Sequence, residues 1–178
     1  MSAPDTDPAV TERYELRLLT PDDADVIAQA HVQIWRDTYD GLLARSVLDG
    51  LDVGETARRW REWLGSDEPP RVLGAFERGT GTFAGWICVG AARDEDAPTA
   101  TELWVLNVVT GHHGTGLAHE FMRSELANRP AYLWVVEGNE RAVAFYRKHG
   151  FELDGQAKAQ EDEGNRDLRM VRTDAFSQ

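Results

Sequence analysis

Cysteine is almost absent: the chain of 178 residues has one, Cys88. A single thiol cannot close an intrachain disulfide, and it rules out a Cys-based zinc site. Positive charge is scarce as well. Nineteen Lys and Arg stand against 31 Asp and Glu, a formal net charge of −12. Binding of nucleic acid or anionic lipid rests on clustered basic side chains, so neither is expected as a partner, although a local basic groove for a small anion stays open. Long apolar runs are missing too, and none approaches the roughly 20 residues of a membrane span. The first twelve residues are polar and acidic, without the basic-then-apolar order of a signal peptide, which makes a cytoplasmic location the expectation. What is present is a globular composition, 42% apolar and 28% charged. Its length fits one domain with a full core.

Residues 1–12 (MSAPDTDPAVTE) combine two prolines, small residues and acids, a composition that reads as a disordered tail. Residues 174–178 form a short C-terminal tail, leaving 13–173 as the domain. Tyr14–Leu19 alternates as a strand should. Thr20-Pro21-Asp22-Asp23 starts a helix, with a capping hydroxyl, a first-position proline and acids at the positive end. Further helices are expected over residues 45–48 and 53–64; Trp60 and Trp63 on the latter read as core residues. Strands follow at 71–77 and 82–91, joined by a Gly79-Thr80-Gly81 turn, and at 101–109. A helix at 115–128, an apolar strand at 131–136 (AYLWVV), a helix at 139–149 and closing strands at 151–156 and 167–172 complete the chain. This order implies a mixed α/β sheet with helices on both faces.

The stretch His113-Gly114-Thr115-Gly116-Leu117-Ala118 joins an apolar strand to an amphipathic helix. Its glycines leave backbone N–H groups uncovered at a helix N-terminus, which suits a phosphate or pyrophosphate. A Walker-type loop needs Gly-Lys-Ser/Thr at its end, and no lysine is here. A dinucleotide fingerprint needs Gly or Ala three residues after Gly116, where His119 stands. A strand–helix turn without ligand is the competing reading. His112, His113 and His119 lack metal-ligand spacing and read as exposed loop histidines, so no metal is expected.

Asn139, Ala142 and Tyr146 lie at i, i+3 and i+7, on one face of the helix after the apolar strand. Phe145 lies about 100° away and can enter the core. The run Asn139–Phe151, N-x-x-A-x-x-F-Y-x-K-x-G-F, resembles the second signature of the Gcn5-related N-acetyltransferase (GNAT) superfamily. Glu102 through Ala118 resembles that family's acetyl-CoA strand and its pyrophosphate loop, Q/R-x-x-G-x-G/A, with His113 at the usual Gln or Arg position. The resemblance spans most of residues 14–173 and is strongest over 102–151.

The resemblance implies a single GNAT-like α/β domain. Its sheet would be mixed, mostly antiparallel, of about six or seven strands, with two splayed central parallel strands flanked by helices. It implies acetyl-CoA as cosubstrate. Asn107, Val108 and Val109 would pair with the pantetheine arm, and a backbone N–H near Val108 would steady the carbonyl oxygen as it gains charge. His113, Gly114, Thr115, Gly116, Leu117 and Ala118 would hold the pyrophosphate. Asn139, Ala142 and Phe145 would line the arm, and Lys148 would reach the nucleotide end or stand as a solvated lysine. Tyr146 occupies the general-acid position; an unperturbed phenol, with a pKa of about 10, stays protonated at neutral pH. Glu102 is a candidate base, weighed equally against an exposed strand-end carboxylate.

The acceptor implied is a primary amine of a small molecule, reached from the side of the first helices. Trp35, Tyr39 and Asp40 are its candidate contacts: Tyr39 lining the pocket, Trp35 either there or in the core, Asp40 drawing the ammonium. The function expected is acetyl transfer to that amine in a ternary complex. The alternative is a non-catalytic acetyl-CoA or CoA sensor, for which a thiolate acid at Tyr146 would have no use. A homodimer is compatible with these readings.

Overall fold

The computed structural model describes residues 8–159 and 165–173. Seven strands form one sheet: β1 (Tyr14–Leu18), β2 (Val72–Glu77), β3 (Phe83–Ala91), β4 (Thr101–Val108), β5 (Ala131–Val136), β6 (Glu152–Ala159) and β7 (Arg166–Arg172). Their spatial order is β1-β2-β3-β4-β5-β7-β6. Every neighbouring pair is antiparallel except β4 and β5, which run parallel. The helices are α1 (Pro8–Arg13), α2 (Ala24–Tyr39), α3 (Arg45–Asp49), α4 (Val53–Leu64), α5 (Leu117–Glu125) and α6 (Glu140–Lys148).

Two apolar clusters cover the two faces of the sheet. On one, Leu117 and Phe121 of α5 meet Leu133, Phe151 and Met170. On the other, Ile27 of α2 and Trp60 of α4 meet Val72, Trp86 and Cys88. Each such side chain contributes roughly 1.5–3 kcal/mol on burial. Ala131 and Leu133 of β5 join the first cluster, and Tyr132, which points to the other face, is equally inaccessible. That is why its sequence reads as unbroken apolar rather than alternating.

The expected tail is corrected over residues 8–12, which fall in α1. Pro8 suits the first helical turn, and Val10 is buried with Tyr14 in the first cluster. The Arg78 guanidinium donates to the Thr11 carbonyl, tying this helix to the β2–β3 turn. Residues 1–7 and the tail at 174–178 lie outside the described residues. Trp63 is a second correction. It is 38% exposed and stacks on Trp104 at 6.0 Å, because α4 turns only its Trp60 side to the sheet.

The feature that positions the site is a bulge in β4. Cys88 pairs with Val105 and Val89 with Leu103, so Trp104 is the extra residue. A bulge bends its strand and sharpens its twist. Gly90 makes room for it: a Cβ there would lie 2.3 Å from the Trp104 ring. Ladder pairs join β4 to β5 only at Glu102↔Tyr132 and Leu103↔Leu133. Past the bulge the two strands part, and a wedge opens in the middle of the sheet.

His31 shows how tightly the α2 face is packed. Its ring stacks on Trp35 at 5.3 Å and on Trp86 at 6.1 Å, and Nδ1 has no hydrogen-bond partner among the described residues. Burial pushes its pKa down from 6.5 to about 4. Between those values the unfolded chain binds a proton that the folded chain refuses, so stability rises with pH across that window. Unfolding free energies of the parent between pH 4.5 and 6.5 are therefore expected to slope more steeply than those of His31→Phe, by about 1.4 kcal/mol per pH unit. Equal slopes would show that His31 is not buried neutral.

Candidate active site

The wedge opens into a cavity of about 740 Å³ that runs through the sheet. β4 lines one wall with Leu106, Asn107 and Val108, and β5 lines the other with Trp134, Val135 and Val136. Between these segments no ladder pair exists, so strand edges face the cavity instead of each other. Val109 does not line it; its N–H is taken by the Ala84 carbonyl at 2.9 Å, and its side chain packs on the α2 face.

At one end the cavity meets the loop before α5. Gly116 is the residue before the helix, with φ 86°, a conformation that favours glycine. No acceptor among the described residues takes the backbone N–H groups of residues 114–118. Five free donors at a helix N-terminus form a cradle for an anion. Gly114, Gly116, Leu117 and Ala118 line the cavity. Thr115 instead supports the loop from below: its hydroxyl donates to the His112 carbonyl at 2.8 Å and accepts from the Tyr14 hydroxyl at 3.3 Å.

The histidines differ from expectation. His112 is buried, not an exposed loop residue, because the Tyr14 hydroxyl meets its Nδ1 at 2.9 Å. His113 lines the cavity, yet its ring is already engaged. Nε2 contacts the Val108 carbonyl at 2.9 Å, and Nδ1 meets the Arg141 guanidinium at 2.9 Å. Arginine can only donate, so Nδ1 accepts and Nε2 carries the hydrogen. The His113 backbone N–H is taken by the Thr110 carbonyl. His113 thus has no free donor for a phosphate, contrary to its expected direct role. His119 lines the cavity and pairs through Nδ1 with Nε2 of buried His149 at 2.9 Å. Burial pushes His149 down to about 4, with His119 and Arg172 adding to the effect. No group of three or more His, Cys, Asp or Glu among the described residues is arranged to hold a metal ion.

Helix α6 forms the remaining wall. The Asn139 side chain caps it by accepting from the Ala142 N–H at 3.1 Å, and Asn139, Ala142, Phe145 and Tyr146 line the cavity together. Lys148 is exposed and outside the cavity lining. Burial raises the Tyr146 phenol above its ordinary value, and the neighbouring Tyr39 raises it further. It therefore remains a proton donor throughout the neutral range. Trp35 and Tyr39 line the cavity from α2, with ring centroids 5.2 Å apart. Asp40, just past the end of α2, is exposed and outside the lining.

Glu102 lines the cavity, but its carboxylate is already engaged. Oε1 accepts from the Arg93 Nη2 at 2.5 Å. Oε2 accepts from the Arg93 Nε at 3.0 Å, the Arg93 N–H at 3.1 Å and the Tyr132 hydroxyl at 3.0 Å. Only 2% of Glu102 is exposed. The exposed strand-end carboxylate is corrected: four donors make Glu102 a buried counter-ion that fixes the 92–100 loop at the point where β4 and β5 part, and a base here would have to act from within that ion pair. Glu102→Gln is expected to destabilise the fold by roughly 1–3 kcal/mol and to leave the shape of the pH–rate profile unchanged. Thermal melts and kcat/KM against pH check both, and activity recovered selectively at high pH would reinstate the base.

Several cavity residues had escaped the reading of the sequence, among them Arg141, Trp104 and Trp134. Arg141 stands four positions before Phe145, so helical spacing from a predicted site residue offered a weak signal. The two tryptophans carried none, since their indole N–H groups are placed by distant acceptors, the Ala91 carbonyl and the Asp94 carboxylate.

The acetyltransferase (GNAT) family model matches residues 28–151. Among curated proteins, uncharacterized N-acetyltransferases of Mycobacterium tuberculosis and Mycobacterium bovis are 32% identical over 111 residues, covering 59% of this chain and 67% of theirs. Among solved structures, the PaiA N-acetyltransferase of Thermoplasma acidophilum, in complex with coenzyme A, superposes with a TM-score of 0.66 at 18% identity, covering 90% of this chain and 98% of that one. An acetyltransferase of Thermus thermophilus gives 0.61 at 20% identity, covering 90% and 97%. At such identities the structural likeness speaks for the fold alone. Among the described residues no helix is long and apolar enough to cross a membrane.

Proposed function

Because this chain belongs to the acetyltransferase (GNAT) family, we propose that it moves an acetyl group from acetyl-CoA to a primary amine of a small molecule, by direct transfer in a ternary complex. The observation that carries the reading is the junction of two features in one cavity: a strand pair that parts past Leu103, and five free N–H groups at its end. Acetyl-CoA supplies the activated thioester. The N–H groups of residues 114–118 hold the pyrophosphate, and the open edges of β4 and β5 hold the amide-bearing arm. The Val108 N–H, on the strand edge opposite the Val109 N–H that the Ala84 carbonyl takes, steadies the carbonyl oxygen as it gains charge.

The acceptor approaches from the α2 side, between Trp35 and Tyr39. Its nitrogen lone pair forms the C–N bond as the C–S bond breaks. Tyr146 gives its phenolic proton to the departing sulfur, and the proton lost from the new amide nitrogen leaves through water, since the Glu102 carboxylate is held by Arg93 and Tyr132. An earlier proton is lost before attack as well, because an ammonium has no lone pair until it is deprotonated. Initial rates with both substrates varied are the test of the direct route. Intersecting double-reciprocal lines are expected; parallel lines, the pattern of a covalent acetyl-enzyme, would overturn it.

A further inference from the structure

The cavity is lined by three cations that belong to Lys or Arg. Arg93 is spent on Glu102 at 2.5 Å, and Lys158 lies 4.0 Å from Asp94 while covering the Trp134 ring at 4.1 Å. Arg141 is different. Among the described residues no carboxylate pairs with it, and its partner is a ring nitrogen, Nδ1 of His113. In a chain with twelve more acidic than basic charges, an arginine left without a carboxylate is a local reserve of positive potential. It reaches His113, the residue before Gly114, at the end of the cavity where free N–H groups already favour an anion. His113 holds it there: the ring is anchored to β4 through the Val108 carbonyl and to α6 through Arg141. The imidazole occupies one arm of the guanidinium and leaves the rest of the fork for a ligand.

We infer that Arg141 is the cation that binds the pyrophosphate of the acyl donor and makes this chain select nucleotide-bearing CoA thioesters over pantetheine thioesters, with His113 as its positioning residue. The inference rests on the proposed acetyl-CoA reading and deepens it. A planar fork gives two directed, charge-assisted hydrogen bonds to phosphate oxygens, where backbone N–H groups alone give neutral ones. Donors that lack the pyrophosphate have nothing to gain from it. The positive charge also offsets the overall acidity of the chain for an approaching anion.

Steady-state kinetics with acetyl-CoA and with S-acetylpantetheine, each at a saturating amine, tests this. Arg141→Ala is expected to raise the KM for acetyl-CoA about 10- to 100-fold, with kcat within about twofold and the KM for S-acetylpantetheine unchanged. Arg141→Lys, which keeps the charge without the fork, is expected to fall between. His113→Ala is expected to show the same donor dependence more weakly, and to add nothing when combined with Arg141→Ala. Losses of equal size with both donors, or no loss in Arg141→Ala, would overturn the assignment. Additive effects would remove His113 as the residue that positions it. These failures differ from failure of the underlying reading, which would appear as no binding of acetyl-CoA, by calorimetry, to the parent protein.

Discussion

Replacing Tyr146 with phenylalanine is expected to lower kcat by about 10²-fold, the lower end of the range for a lost general acid, while leaving the affinity for acetyl-CoA intact. The substitution removes one oxygen from a ring that packs against Phe145 and Phe151, so the wall of the cavity survives. What disappears is a proton held for the departing sulfur. A free thiolate is a competent leaving group on its own, and water can protonate it later, which is why a complete loss is not expected. The phenol is pushed upward by burial and by Tyr39, so the group is fully protonated at neutral pH, and its reluctance to ionise caps its advantage at a modest factor. Calorimetric titration with CoA separates the two effects. An unchanged kcat in Tyr146→Phe would leave proton donation to water and remove this residue from the mechanism.

Gly116→Val is expected to weaken CoA binding by at least about 100-fold. Two costs act together. Valine is strained at φ 86°, by about 1–2 kcal/mol on the scale for left-handed residues. Relief of that strain rotates the peptides on either side, which turns the donors of Thr115–Leu117 away from their common focus. The isopropyl group also stands at the helix N-terminus, where the backbone must come close to a phosphate. The loop is supported from below by Tyr14, His112 and Thr115 rather than by Gly116 itself, so the fold is expected to hold, with the melting temperature down by about 2–8 °C. Binding at parental affinity in a folded variant would dissociate this loop from the ligand altogether.

The parts of this site that were legible in the sequence are the local ones. Gly114 and Gly116 before an amphipathic helix declare a cradle over six consecutive residues. Asn139, Ala142 and Tyr146 declare a shared face because helical geometry fixes where i, i+3 and i+7 point. The wedge itself was readable only through family resemblance. Its physical cause is the Trp104 bulge, which needs Gly90 on the neighbouring strand, and no local pattern distinguishes a bulged strand from a straight one. Glu102 was misread for a related reason. Its partner Arg93 is nine residues away across a loop, and a carboxylate at a strand end looks the same whether water or a guanidinium meets it. His112 and Tyr14 are 98 positions apart, so the burial of that histidine was equally out of reach. Val10 failed as a signal because a short helix surrounded by prolines and acids has the composition of a tail, and one buried side chain, anchored in a distant cluster, decides otherwise.

The central step is transfer of an acetyl group from a thioester to an amine. Incubation of the chain with isotopically labelled acetyl-CoA and a panel of small primary amines, followed by mass spectrometry of the amines, the CoA and the intact protein, measures that step directly. The expected result is label on at least one amine in equal amount to the free CoA released, with the protein unlabelled. CoA binding without label on any amine would contradict the account and describe a sensor; label retained on the protein would contradict direct transfer.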